Sequence, residues 1–284
     1  MATHIIKRGF FLFLALLTIQ LVLARFSGAQ EPEKIVQGHA ILTVADSKRL
    51  IGKGVAQMPV VKNALADGML IIVRGTTNAY VAEEITGKKI DHAAFVRGRI
   101  EPTKGGKKLP NVKPLPDVVL KKGKPVDLPI QDAVKELKPG DVVIKGANAL
   151  DYKNKLAGVD IGEPSGGTTG ITMPYIVARK ARLIIPVGLE KLVAGDLVDL
   201  TLKMREPMET INPPLQSMFL VTGEIVTELE AIKVLTGATA FQCSAGGIGG
   251  AEGSVWVVFR GTRDQVTKAL NLLQSIQGEP PYVE

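Results

Sequence analysis

Short apolar runs alternate with stretches of mixed polarity over the first two thirds of the chain. Continuous apolar runs, Met69–Arg74 and Leu183–Val187 among them, predict buried strands. The segments between such runs, for example Asn78–Ile85, predict helices. Strands that alternate with helices are typical of βαβ units. The pattern therefore predicts an α/β fold, with an open, mostly parallel sheet and flanking helices.

The order of predicted elements changes after a proline-bearing connection at residues 205–218. The following segment has the pattern strand, helix, strand, strand, helix, and both helices start with the spacing of a capping box. This order predicts a small α+β module of ferredoxin-like type at 217–284, although its last strand is not evident. We expect it to follow an α/β ligand-binding domain at 30–205. The predicted elements of the module are Phe219–Val226, Glu228–Leu235, Ala238–Cys243, Ser254–Arg260 and Arg263–Ile276.

The N-terminus has the pattern of a secretory signal peptide. Lys7 and Arg8 precede an apolar run, Gly9–Ala24, and small residues then stand at both ends of Ser27–Ala29. This pattern predicts a leader at 1–29 and export of the protein to a periplasm or an extracellular space. The alternative is an uncleaved N-terminal helix that anchors the protein in a membrane.

The composition allows a sizeable folded core and limits the chemistry. The chain has 284 residues, 45% of them hydrophobic, and a single cysteine, Cys243. One cysteine excludes an internal disulfide and a cysteine-based metal site. His39 and His92 lie beyond the expected leader, and neither has the spacing of a metal ligand. We therefore expect no histidine-based metal site and no Ser-His-Asp triad. Carboxylates alone remain possible metal ligands. The sequence points to no particular cofactor.

The formal net charge of +7 is concentrated in one segment. Residues 97–124 contain nine basic and two acidic residues, and their glycines and prolines predict an extended basic loop. No aromatic residue lies between Glu101 and Lys124, so we expect no nucleic-acid arm that stacks bases. The basic loop is either solvated or a contact for an acidic membrane surface or an anionic ligand.

A glycine-rich stretch at residues 246–253 lies within the predicted C-terminal module. It precedes a strand-like run rather than a helix, so it is not a dinucleotide-binding motif. Close approach of the backbone to a ligand, or to a neighbouring subunit of a homo-oligomer, would explain the glycines. A flexible hairpin loop explains them equally well.

Two Gly-Thr-Thr stretches follow predicted strands and open predicted helices. They are Gly75–Thr77, followed by Asn78, and Gly167–Thr169, preceded by Gly166. Such turns offer unpaired backbone N–H groups and hydroxyls, and a helix N-terminus favours an anion. The alternative is that the threonines simply cap the helices. Two such stretches in one chain favour a ligand site, and we expect both to face one cleft at the carboxyl ends of neighbouring strands.

Three segments together resemble a known superfamily, over residues 40–192: "ADGMLIIVRGTTNAYVAEEI", "GDVVIKGANALD" and "GGTTGITMPYIVARKARLIIPVGLEKL". The superfamily unites ribose-5-phosphate isomerase, glucosamine-6-phosphate deaminase, CoA-transferases and the effector domains of DeoR-type repressors. In those proteins a Gly-Thr-Thr-like loop holds a phosphate or a related anion. A later strand ends in a polar loop that is followed by a glycine turn and a helix.

The resemblance implies ligand-binding roles for three loops. Their residues are Gly75, Thr76, Thr77 and Asn78, then Lys145, Gly146, Ala147 and Asn148, and finally Gly166, Gly167, Thr168 and Thr169. The chain has no match to the glutamate motif of CoA-transferases or to the acid/base set of the isomerases and deaminases. Asp151 and Asp160 are candidate acid/base residues, with a turn or capping role as the alternative for each.

These observations favour an exported protein that binds a small anionic ligand, bearing phosphate or carboxylate, at the two Gly-Thr-Thr loops. The alternative is an isomerase or an acyl/CoA-transferase-type enzyme that uses Asp151 or Asp160 as a general base. Sugar phosphates and CoA esters are mainly cytoplasmic, which weighs against an exported enzyme of this kind. An enzyme needs one of these aspartates in the same cleft as Thr76 and Thr77.

Overall fold

The computed structural model describes residues 33–98, 100–102, 104–105, 109–212 and 215–282. The chain divides into a short unit, Met1–Ile35, and a compact unit, Val36–Glu284. The expected leader at 1–29 lies outside the described residues. Within the ranges given above, no helix has the length and apolar character needed to cross a membrane.

The described part of the chain forms eight α-helices and twelve strands. The helices are α1 (Val44–Gln57), α2 (Pro59–Asp67), α3 (Thr76–Thr86), α4 (Ile130–Ala133), α5 (Gly167–Arg179), α6 (Leu197–Lys203), α7 (Glu228–Thr236) and α8 (Arg263–Ile276). The strands are β1 (Val36–Leu42), β2 (Met69–Ile72), β3 (Val118–Lys121), β4 (Lys124–Pro125), β5 (Val142–Ile144), β6 (Ala149–Asp151), β7 (Leu156–Ile161), β8 (Arg182–Pro186), β9 (Ser217–Val221), β10 (Glu224–Val226), β11 (Thr239–Ala245) and β12 (Val255–Gly261). Short 3-10 helices span Val134–Glu136 and Leu189–Lys191.

A six-stranded sheet lies at the centre of the fold. Its strand order is β10-β8-β5-β2-β3-β4. The first four strands in this order are parallel, and β3 and β4 are antiparallel to their neighbours. The prediction of an α/β fold with a mostly parallel sheet is therefore confirmed.

Both faces of the central sheet are buried, which explains the continuous apolar sequence of β2. Leu70 and Ile72 belong to a core that also contains Ile51 of α1. Ile71 points to the opposite face, because side chains alternate along a strand, and it belongs to a core with Ile232 of α7. A strand covered on both faces has no polar side, so its sequence does not alternate.

Residues 217–284 pair with strands from the preceding part of the chain. The strand β9 extends the antiparallel sheet β6-β7-β9, β10 joins the central sheet beside β8, and β12 lies between β1 and β11. The ferredoxin-like arrangement of this segment is not confirmed. The predicted strand Phe219–Val226 is divided into β9 and β10, because its two halves join different sheets. Both predicted capping boxes are confirmed, at Thr227 and Thr262.

Candidate functional site

A cleft of about 590 Å³ opens where β2 and β5 end. These strands are parallel neighbours, so their carboxyl ends lie at the same edge of the sheet, where open α/β sheets bind ligands. The structure brings the three predicted loops together, and all their residues line this cleft: Gly75, Thr76, Thr77, Asn78, Lys145, Gly146, Ala147, Asn148, Gly166, Gly167, Thr168 and Thr169.

The N-terminus of α3 lies at the cleft with its first backbone N–H groups unpaired. Among the described residues, no acceptor meets the N–H of Thr76, Thr77 or Asn78, whereas the N–H of Ala79 donates to the carbonyl of Gly75 at 2.9 Å. Gly75 is the N-cap residue, and no side chain caps the helix. The hydroxyl of Thr77 is buried without a partner. The alternative in which threonine hydroxyls cap this helix therefore has no support in the structure.

The side chain of Asn78 joins the two strands that form the floor of the cleft. Its Nδ2 donates to the carbonyl of Val73 at 2.7 Å and to that of Ile144 at 3.3 Å. Asn78 is only 1% exposed. Its Nδ2 therefore fixes the ends of β2 and β5, its Oδ1 is buried without a partner among the described residues, and for an anion the available donor is its backbone N–H.

Lys145 directly follows β5, and its side chain lines the cleft. The residue is 9% exposed, and within the described ranges no group forms a hydrogen bond or an ion pair with its ammonium. The pKa of Lys145 is lowered to about 8, mainly by burial and also by the charge of Arg97, while Asp117 opposes the shift. A buried ammonium without a partner is unfavourable, so an anion in the cleft would stabilise it.

The second Gly-Thr-Thr loop differs from the first in position and in chemistry. It follows β7, which belongs to an antiparallel sheet, so the expectation that the two loops follow neighbouring strands is wrong. Gly166 and Gly167 have φ values of 85° and 53°, in the left-handed region that favours glycine. The carboxylate of Glu163 accepts the N–H groups of Ser165 and Gly167, both at 3.0 Å. The N-terminus of α5 is thus already paired with a carboxylate of the same chain, that of Glu163.

Asp160, near the end of β7, lines the same cleft as the first loop. Its backbone N–H donates to Oδ1 of Asn148 at 3.1 Å, but its carboxylate has no hydrogen bond or ion pair with any described group. Burial raises the pKa of Asp160, and the charge of Lys191 opposes this shift. Lys191 also lines the cleft, and its Nζ donates to the carbonyl of Ala147 at 2.7 Å.

Asp151 is not among the cleft residues and holds a turn instead. Its carboxylate accepts a hydrogen bond from the backbone N–H of Asn154 at 3.0 Å and another from the side-chain Nδ2 of Asn154 at 2.8 Å. A third bond, 3.4 Å long, comes from the N–H of Leu197 at the start of α6. Backbone and side-chain bonds from Asn154 lower the pKa of Asp151. These bonds support the turn alternative for Asp151 and not the acid/base role.

Two arginines of the cleft were not among the predicted site residues, although Arg97 is the first residue of the basic loop 97–124. Oδ1 of Asp117 accepts the N–H of Arg74 at 2.8 Å and lies 3.7 Å from its Nε. Oδ2 of the same carboxylate accepts Nη2 of Arg97 at 2.9 Å. Asp117 thereby holds two guanidinium groups at one wall of the cleft. Arg74 directly precedes the first Gly-Thr-Thr stretch, so its position could have identified it, whereas no sequence signal identifies Asp117 as its partner.

Comparisons with protein-family models, with curated proteins and with solved structures found no match to this chain.

Proposed function

We propose that the cleft binds a small anionic molecule that carries a phosphate or a carboxylate group. The observation that carries this proposal is Lys145, which is 9% exposed, lines the cleft and forms no ion pair within the described part of the chain. Unpaired buried charges are rare in proteins because desolvation is expensive. A bound anion would supply the missing partner.

The backbone around Lys145 adds further donors for an anion. The N–H groups of Gly146 and Ala147 have no acceptor among the described residues, like those at the N-terminus of α3. Unpaired N–H groups from two neighbouring strand ends form a concave surface of the kind that holds anions. The positive end of α3 adds favourable potential. The volume of the cleft, about 590 Å³, leaves room for an organic group beside the anion.

The resemblance to the sugar-phosphate isomerase and CoA-transferase superfamily agrees with this proposal, since its Gly-Thr-Thr-like loop holds an anion in those proteins. We extend the proposal to export of the protein, on the leader pattern at residues 1–29.

An enzyme of the isomerase or acyl/CoA-transferase type is the second candidate function. The observation that favours it is Asp160, whose carboxylate lines the same cleft as Thr76 and Thr77. Burial raises the pKa of Asp160, which is the direction needed for a general acid or base near neutral pH. Asp151 holds a turn outside the cleft, so we propose Asp160 for this role.

Calorimetric titration with inorganic phosphate at pH 7 tests the binding function. We expect the purified chain to bind phosphate and Lys145→Met to bind it at least about tenfold more weakly, because a charged hydrogen bond is lost. Lys62→Met removes the same charge from an exposed position of α2 and should retain full affinity. Absence of phosphate binding by the wild-type chain, or equal affinity in Lys145→Met, would contradict the proposal.

A further inference from the structure

The cleft contains a carboxylate as well as cations, and this combination limits the ligands that fit it. The carboxylates of Asp160 and Glu163 both border the cleft. Glu163 is engaged at the start of α5, where it accepts two backbone N–H groups. The carboxylate of Asp160 accepts no hydrogen bond from the described residues and forms no ion pair with Lys191, whose ammonium donates to the carbonyl of Ala147.

Lys145 and Asp160 are thus two unpaired charges of opposite sign in one cleft. An anion alone would provide a partner for Lys145 and would leave the carboxylate of Asp160 unpaired. A ligand with an anionic group and an ammonium group would pair with both charges and would add no net charge to a partly enclosed site. Charged donors also form stronger hydrogen bonds with a carboxylate than neutral donors do.

We infer that the ligand is zwitterionic, with its anionic group at Lys145 and the N-terminus of α3 and an ammonium group at Asp160. Asp160 is then a specificity-determining residue that selects amine-bearing anions. The pKa of Asp160 agrees with this assignment, since partial burial raises it more than the charge of Lys191 lowers it, and an ammonium group of the ligand would favour the charged carboxylate. This inference rests on the proposed binding function.

The test compares matched ligands that differ in the amine. Phosphoethanolamine is titrated against ethyl phosphate at pH 7, and longer aminoalkyl phosphates are titrated against the corresponding alkyl phosphates to match the separation of the two charges. We expect at least one amine-bearing ligand to bind the wild-type chain about tenfold or more tightly than its match, as a charged hydrogen bond predicts. Equal affinities within every pair would overturn the inference.

The substitution Asp160→Asn assigns the preference to a residue. It retains the backbone N–H that bonds to Asn148, so this contact of β7 is preserved. We expect Asp160→Asn to lose the preference for the amine and to bind ethyl phosphate at least as tightly as the wild-type chain does. The control Asp127→Asn removes a carboxylate from an exposed position outside the cleft and should retain the preference.

The outcomes separate this inference from the proposed function. If the wild-type chain binds alkyl phosphates with no preference for the amine, the proposed binding function stands, but the inference that the ligand is zwitterionic is wrong. A preference that persists in Asp160→Asn would also overturn the assignment. If no phosphate ester binds the wild-type chain, the binding function itself fails.

Discussion

Burial of the protonated form of Lys145 opposes folding. Its pKa falls from the ordinary value of 10.5 to about 8, so folding disfavours the protonated form. The unfolded chain therefore binds more protons between these two values, and the stability of the folded state rises with pH across this interval. Below about pH 8 the penalty is fully present.

The substitution Lys145→Met should remove this penalty. Methionine fills a similar volume without a charge, so we expect the free energy of unfolding at pH 7 to rise by on the order of 3 kcal/mol, the equivalent of the fall in pKa from 10.5 to about 8. Urea unfolding of the wild-type chain, Lys145→Met and the surface control Lys62→Met provides the comparison. A stability of Lys145→Met equal to or below that of the wild type would show that the ammonium is better solvated than its burial indicates.

Thr77 gives a second prediction at the scale of single residues. Its hydroxyl is buried away from solvent, so a ligand in the cleft would not reach it, while its backbone N–H has no acceptor among the described residues. Thr77→Val should therefore leave phosphate affinity within about twofold and should increase stability by about 1 kcal/mol, because an unsatisfied polar group is removed. Calorimetry and urea unfolding measure the two effects. A large loss of affinity would mean that the hydroxyl turns to the ligand on binding.

Single residues of the cleft differ in how well their sequence context identifies them. The loop Gly75–Asn78 is predictable because it follows an apolar strand and opens a helix. The bond between the backbone N–H of Arg74 and the carboxylate of Asp117 joins positions 43 residues apart, and no local pattern encodes it. Asp151 and Asp160 stand in similar contexts, and only the fold distinguishes the turn residue from the cleft residue.

At the scale of elements, the same Gly-Thr-Thr sequence stands at the N-termini of α3 and α5 but has different surroundings in each. The first helix has an unpaired N-terminus beside Lys145, and the second is capped by the carboxylate of Glu163. The sequence predicted both helices, but it gave no means of seeing that β7 pairs away from the central sheet. Parallel and antiparallel pairing of short apolar strands depends on packing rather than on local pattern.

The start of α7 contains a buried carboxyl group that links stability to pH. Glu228 is 0% exposed and accepts the N–H of Leu189 at 3.1 Å. Burial, with a smaller contribution from Glu190, raises the pKa of Glu228 from 4.5 to about 7. The folded chain therefore binds more protons than the unfolded chain between these values, so this group makes the protein less stable as pH rises from 4.5 to about 7.

Replacement of Glu228 by glutamine should flatten that part of the stability profile. Glutamine keeps an acceptor oxygen for the Leu189 N–H but cannot ionise. We expect Glu228→Gln to gain stability relative to the wild type above pH 7 and to lose this advantage below pH 4.5. Urea unfolding across this range measures the difference. Parallel profiles for the two chains would indicate that Glu228 does not titrate in this interval.

At the scale of the whole molecule, strand pairing joins the two ends of the compact unit. The strand β1 pairs with β12, and β9 and β10 pair with β7 and β8. The sequence predicted most of these strands individually. Their partners lie far away in the chain, and such pairing is set by the tertiary structure. Local sequence patterns therefore do not show whether the C-terminal segment forms a separate module.

Limited proteolysis examines this arrangement. The segment Arg205–Asn212 is exposed, so we expect cleavage there under native conditions. The two fragments should remain together in size-exclusion chromatography and separate only in denaturant, because three strand pairs cross the cleavage site. Release of a soluble fragment covering 217–284 under native conditions would instead support an independent module.

The pH dependence of ethyl phosphate binding tests the central claim, that Lys145 holds an anion in the cleft, most directly. Above pH 7 the ester is a dianion, since its second pKa is about 6, so any change in affinity comes from the protein. With a pKa of about 8, Lys145 loses its proton as pH rises from 7 to 10. We predict that the affinity of the wild-type chain falls about tenfold or more over this range, while Lys145→Met binds weakly at every pH with no such change. An affinity that does not change with pH in the wild type, or the same decline in Lys145→Met, would contradict the account.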